Sequence, residues 1–401
     1  MILVAKYIIT GDGRTLLKDH AVRVEGDKIT EVGPLGEMLQ KYPGEPVEDY
    51  GDATILPGLI DLHQHLGTYI HYSNVLQFND FLLAYKALHA AQEAFAVGVT
   101  TIRDVSSDHL LVEKMRQAAK LGYVDVPRLY HCDRGITMTG GHADQITNIK
   151  NECEVADGID ELRKAIRGQL RAGADWIKVM DSHRVLTRPE FSQEELDFIV
   201  QETHRLERKC CVHAGVGPSV QMSIDAGFDT IEHATFMTED QAKQMKEKGL
   251  AWIPTIITYT WAAEVYADEN NQPVQNAPQS IKNFWWFFQL ASQSYRDNFK
   301  KLYDTGVFVG AGTDMVMAGS PPAPLAMELE YYVRYGVPVL EAIKCGTANN
   351  AKILDAEDRF GMIREGLSAD ILVCEGDVSS DIKQLQKVKK VFLEGKCRYE
   401  A

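Results

Sequence analysis

Ile55-Leu56-Pro57-Gly58-Leu59-Ile60-Asp61-Leu62-His63-Gln64-His65 runs from an apolar segment directly into two histidines spaced by one residue. An apolar strand over Leu59 to His63 suits a position covered on both faces, as in a parallel sheet. The spacing of two puts His63 and His65 on one face of the chain as it leaves that strand. Two imidazoles on one face can chelate a metal; taken alone, such a pair reads first as hydrogen-bonded loop histidines.

Outward from this stretch the same unit recurs between Ile55 and Leu354: an apolar strand, a polar loop, an amphipathic helix and a glycine before the next strand. The strands expected after Leu59 to His63 are Val99 to Val105, Arg128 to Asp133, Trp176 to Met180, Cys211 to Ala214, Thr230 to His233, Ala251 to Thr255 and Val307 to Gly312. Capping boxes open two of the helices, Ser192 with Glu195 and Thr238 with Gln241. Gly98, Gly122, Gly173, Gly227, Gly249 and Gly306 stand where a left-handed helix end needs a residue without a Cβ. Eight such units predict a closed (β/α)8 TIM-type barrel of the α/β class, for which about 250 residues plus insertions is usual. An open doubly wound sheet would bring a glycine-rich phosphate loop after its first strand, and none follows His63.

The two ends read differently. Met1 to Ile55 alternates polar and apolar residues between turns at Gly11-Asp12-Gly13 and Glu25-Gly26-Asp27, and Ala369 to Cys374 and Val388 to Leu393 do the same. Residues 1–56 and 358–401 are therefore expected to build one small β-sandwich domain, with the barrel, residues 57–357, inserted in it. The long connection from Ile256 to Thr305, with Trp261, Trp285, Trp286, Phe287 and Phe288, reads as a lid or as a helix packed by its aromatics.

Charge and cysteine usage limit the partners. A net charge of −15, with no long run of either sign, argues against nucleic acid. No apolar run approaches the roughly 20 residues needed to cross a bilayer, so a membrane is not expected and the cytoplasm is the default address. The seven cysteines form no CxxC pair and read as free thiols. A small-molecule substrate and a homo-oligomeric state are expected.

In a barrel the strand ends converge on one mouth, so His63, His65, His213, His233 and Asp314, each at or just beyond a strand end, are expected to meet there. Four imidazoles and a carboxylate suit zinc or a similar ion. Lys178 lies inside the apolar fourth strand, where an unpaired ammonium is costly. Beside two cations it would lose its proton, and the neutral amine could then add carbon dioxide to give an anionic carbamate that bridges a pair of metals.

Taken together, Ile55 to His65, Lys178, His213, His233 and Asp314, with Gly361-Met362-Ile363 and Gly366-Leu367-Ser368-Ala369-Asp370 near the end, resemble the amidohydrolase superfamily over nearly the whole chain. Thr139-Gly140-Gly141-His142 and Ile231-Glu232-His233 are most similar to its prolidase and Xaa-dipeptidase branch, which includes carboxypeptidase-like and ochratoxin-hydrolysing members. The resemblance implies that His63, His65 and Asp314 hold one divalent metal, that His213 and His233 hold a second, and that a carboxylated Lys178 bridges this binuclear centre. The implied activity is metal-dependent hydrolysis of the amide bond of a dipeptide or N-acyl amino acid by a metal-activated hydroxide. Asp314 is expected to move the proton and His142 to polarise the carbonyl. Arg134, His183 and Arg184, together with His142 and Arg188, are candidates to meet the substrate.

The chain departs from that branch at two loops: Met180-Asp181-Ser182-His183-Arg184 replaces a small Ser-Gly-Gly loop, and no tyrosine follows His213. Two other readings stand beside it: a mononuclear deaminase or imidazolone-type cyclic amide hydrolase, and a non-catalytic structural relative.

Overall fold

The computed structural model describes residues 1–67, 80–146, 152–182, 188–314 and 324–401. Eight parallel strands follow one another around a barrel: Leu59–Gln64, Val99–Asp104, Arg128–His131, Trp176–Met180, Lys209–Ala214, Thr230–His233, Ala251–Ile253 and Phe308–Val309. They form two ladders, joined by Asp175 N donating to His131 O (2.9 Å) between the third and fourth strands. The ring closes where Leu62 N donates to Ala311 O (3.1 Å) and Asp314 N to His63 O (2.8 Å), tying the eighth strand back to the first.

Both expected capping boxes are present, at Ser192 and Thr238. The six glycines that precede strands all have positive φ, between 72° and 103°, and Gly227 is the left-handed C-cap of helix Gly217–Ala226. Helices such as Gly158–Arg171 and Gln193–Arg205 bury one stripe against the outside of the strands. Inside the barrel Ile60, Leu62, Cys132, Trp176, Cys211, Ala251 and Ile253 make a second core, which Ile353, Leu354 and Phe360 join. This filled interior raises a floor beneath the mouth.

Three strands end two or more residues earlier than expected. The seventh stops at Ile253 because Pro254 has no N–H to donate and Thr255 turns to φ +51°. The third stops at His131, ahead of Asp133 with φ +58°. Beyond it the short strands Gly135–Thr137 and Cys153–Val155, unforeseen in the sequence, widen the third unit. The eighth keeps ladder pairing only over Phe308–Val309, after which the Asn350 side chain bonds Ala311 N and O. At Gly312 a Cβ would lie 2.7 Å from the His63 Cβ, so glycine permits the close approach that brings Asp314 beside the first strand.

The ends of the chain form two antiparallel-rich sheets. Lys28–Pro34, His20–Glu25, Ile2–Val4 and Val47–Asp49 lie in one. The other runs Lys396–Glu400, Val388–Leu393, Ile371–Glu375, Ala53–Pro57, Tyr7–Ile9 and Leu16–Leu17, so that segments from opposite ends of the sequence pair. Leu3, Ile8, Val22, Ile55, Ile371 and Phe392 fill the space between them. The aromatic connection forms helices Ile256–Val265, Gln279–Asn283 and Trp285–Asp304, with Trp261 and Trp285 buried and Trp286 half exposed. Among the described residues no helix is long and apolar enough to cross a membrane.

Candidate metal centre

His63 enters the mouth through a β-bulge. Asp61 is opposite Ile102 and Gln64 opposite Asp104, so Leu62 and His63 together face the single residue Arg103. The extra residue lets the first strand place Ile60 and Leu62 in the interior core and then turn His63 and His65 toward Asp314. The buried Asp61 fixes this turn by accepting His63 N, Gln64 Nε2, Thr313 N and Thr313 Oγ1.

Three histidines are oriented alike. His63 Nδ1 lies 2.7 Å from Glu232 Oε2, and His65 Nδ1 lies 2.9 Å from Ser106 O. His233 Nδ1 lies 2.6 Å from Thr255 Oγ1, whose own proton goes to Pro254 O. Each partner is an acceptor, which places the proton on Nδ1 and leaves the Nε2 lone pair free to bind. His63 Nε2 and His65 Nε2 stand 3.6 and 3.2 Å from Asp314 Oδ1. Ring contacts extend the cluster from His63 to His233 (5.0 Å), His233 to His213 (4.5 Å) and His213 to His142, stacked at 4.4 Å. His233 and Asp314 hold φ values of +66° and +49°, the kind of backbone strain that collects at functional sites.

Burial is the largest influence on each imidazole and disfavours its charged form, but at His65 the Asp314 carboxylate outweighs it and raises the ring above its ordinary value. His63 and His213 are pushed well below the usual histidine range, and His233 to about 4. Burial alone would raise the Asp314 carboxyl, yet the surrounding imidazoles hold it below the usual carboxylate range. Neutral His63, His213 and His233 beside an anionic Asp314 are the protonation states a divalent cation requires. Lys178 Nζ and His233 Nε2 are buried with no hydrogen-bond partner among the described residues. His233 approaches this carboxylate through Nδ1, 4.0 Å from Asp314 Oδ2, and its unpartnered Nε2, like the unpartnered Lys178 amine, fits a cluster built to hold a cation. His63, His233 and Asp314 already bring ligand atoms within 4.8 Å of one another.

Behind these residues lies a shell that sequence reasoning passed over. Arg103, fully buried, donates to Glu232 Oε1 (2.8 Å), Thr230 Oγ1 (3.2 Å) and Leu62 O (2.7 Å), and its guanidinium lies 4.6 Å from the Trp176 ring. It fixes Glu232, which fixes His63. The available signal was a carboxylate inside the apolar strand Thr230–His233, the same oddity that drew attention to Lys178. On the other side of the mouth Glu190 accepts the backbone N–H of His142 (2.6 Å), and Asp181 accepts those of Glu190 and Phe191. Burial raises Glu190 to about 7 and Asp181 to about 8.

The expected substrate contacts fare differently. His142 joins the cluster through His213. Arg134 is turned instead toward the outer layer, where it pairs with Glu154 at 2.8 Å, a carboxylate also reached by Gln169 of helix Gly158–Arg171. The cause is strand alternation, since the neighbouring Gly135 takes the side facing Met180 and Ser106. Arg188 is exposed, and His183 and Arg184 lie outside the described residues.

Comparison with known proteins finds relatives over nearly the whole chain. An ochratoxinase of Aspergillus niger is 30% identical over 97% of this chain and 84% of its own length. An imidazolonepropionase of Rubrobacter xylanophilus is 24% identical over 88% and 84%. The crystal structure of a Xaa-Pro dipeptidase with methionine in its active site superposes with a TM-score of 0.86 and 29% identity, covering 100% of this chain and 99% of that one. That of the A. niger ochratoxinase gives 0.83 and 28%, covering 100% and 95%. The model of the amidohydrolase family matches residues 54–398, and the chain belongs to that family.

Proposed function

We propose that this hydrolase cleaves the amide bond of a dipeptide or N-acyl amino acid and depends on divalent metal, most naturally zinc. The observation that carries the proposal is the gathering of His63, His65 and His233 around the Asp314 carboxylate, His63 and His65 through Nε2 and His233 with its Nε2 unpartnered, together with a buried Lys178 amine that has no partner among the described residues. His63, His65 and Asp314 would hold one ion and His213 and His233 a second. Lys178 would help to hold both as a carbamate, formed when its amine adds to carbon dioxide with an N–C bond made, a C=O π bond broken and one proton released. When bound, the ions supply Lewis acidity, which acidifies water and polarises the scissile carbonyl.

The chain's own residues do the rest. Asp314, held anionic, accepts the proton of the attacking water and returns it to the leaving amine. His142, braced by the stacked His213 ring and by Glu190 on its N–H, presents its imidazole to the carbonyl oxygen. Arg103 and Glu232 hold His63 in one tautomer and one orientation.

A second reading, cyclic amide hydrolysis with one ion, draws on the three-residue set His63, His233 and Asp314 and on the imidazolonepropionase relative. Zinc-reconstituted and metal-free protein offered a mixed set of dipeptides and N-acyl amino acids separates the two. Metal-dependent release of free amino acid is expected. Silence there, with turnover of five-membered ring amides, overturns the first reading in favour of the second.

A further inference from the structure

We infer that an aromatic wall beside His233 is a binding surface for an aromatic group of the substrate; this rests on the amide-hydrolase reading above. Three separate elements deliver rings to one end of the barrel. Phe236 lies three residues beyond His233 at the end of the sixth strand. Tyr259 is in the first turns of helix Ile256–Val265, directly after the seventh strand. Phe287 is in the first turn of helix Trp285–Asp304.

The rings form a row that starts at the candidate metal centre. His233 and Tyr259 meet edge-on at 5.8 Å and 88°, Tyr259 and Phe287 at 5.6 Å and 80°, and Phe287 and Phe236 at 6.3 Å and 66°. Thr258, next to Tyr259, donates to Thr313 O (2.7 Å) and Asp314 O (2.6 Å), which ties this helix to the same mouth. Exposure rises along the row, from 7% at Tyr259 through half-buried Phe236 and Phe287 to 50% at Trp286, whose ring is 5.8 Å from Phe287.

A row that only packed two helices together would close over its rings. This one opens outward from His233, a candidate metal ligand. Edge-to-face geometry at these spacings is the arrangement that a further phenyl ring would extend. Pockets for small molecules combine such apolar walls with a few fixed polar groups, here Asp314, His142 and the histidine cluster. The amide would lie at the centre with its aromatic substituent on the Tyr259 and Phe287 side.

The test compares N-acetyl-phenylalanine and N-benzoyl-alanine with N-acetyl-alanine, in two measurements. Equilibrium binding to metal-free protein, which needs no turnover, is expected to favour at least one aromatic probe by about tenfold or more, the scale set by burying one ring. Phe287→Ala is expected to erase that ratio and Phe287→Tyr to keep it, with Phe236→Ala as the second variant should Phe287→Ala fail to fold. Hydrolysis by zinc-loaded protein is then read on the same three compounds. Binding without aromatic preference, or a preference that Phe287→Ala and Phe236→Ala leave intact, overturns the wall. A preference that follows the variants, with none of the compounds hydrolysed, supports the wall and overturns the amide reading instead.

Discussion

Asp314→Asn is expected to lower kcat/KM by about 10²–10⁴-fold, the range for loss of a positioned proton acceptor, while the protein keeps much of its metal. The amide of asparagine preserves the shape of the side chain and one oxygen donor. It cannot accept the proton of an attacking water. The same carboxylate sits within reach of His63 and His65, and those imidazoles keep it anionic against the effect of burial. His63→Ala should behave differently, losing metal together with activity, because it removes a ligand at the start of the cluster. Steady-state kinetics with elemental analysis of both variants separates the two roles. An Asp314→Asn protein of undiminished kcat/KM would remove Asp314 from the chemistry.

The largest effect on stability is expected from Arg103→Leu. Arg103 and Glu232 are both fully buried and 2.8 Å apart. Removing the guanidinium leaves the Glu232 carboxylate without its cation, a change that costs about 3–5 kcal/mol. It also takes a donor from Leu62 O and Thr230 Oγ1. The exposed pair Lys300–Asp304 makes the control: its Nζ–Oδ2 distance is 2.5 Å, but its side chains are 42% and 56% exposed. Lys300→Ala should therefore change stability by less than about 1 kcal/mol. Denaturant unfolding of the two variants measures the contrast, and equal midpoints would show that the buried pair does not hold the barrel floor together.

Much of this was legible because barrel architecture writes itself as repeated local signals. Six of the eight strands fall where an apolar run follows a helix-ending glycine, and the Ser192 and Thr238 caps are visible as residue pairs three apart. The convergence of His63, His65, His213, His233 and Asp314 follows from their places at strand ends once the barrel is assumed. Lys178 stood out because a charge inside a parallel strand is rare.

What escaped notice depends on three-dimensional detail. The bulge opposite Arg103 has no sequence mark, since Leu62 and His63 read as ordinary alternation. Arg103, inside the expected second strand, was passed over although it is fully buried, and its partner Glu232 is 129 positions away. Arg134 was assigned to the mouth from its loop, whereas the pleat turns it to Glu154 on the outside. The aromatic connection from Ile256 to Thr305 left a lid and a packed helix equally open, and the hairpin of Ile256–Val265 and Trp285–Asp304 is packed: Tyr295 donates to Pro254 O (2.7 Å), and Phe299 lies 5.4 Å from Trp252.

The measurement that bears most directly on the whole account is the metal content of the active protein. Elemental analysis should be run on protein reconstituted with zinc in the presence and absence of bicarbonate, with amide hydrolysis assayed on the same samples. The account predicts two ions per chain, activity that rises with occupancy, and a second ion whose retention needs both bicarbonate and Lys178, so that it is lost in Lys178→Ala. Full hydrolytic activity with no metal, or with a single ion indifferent to bicarbonate, would contradict it.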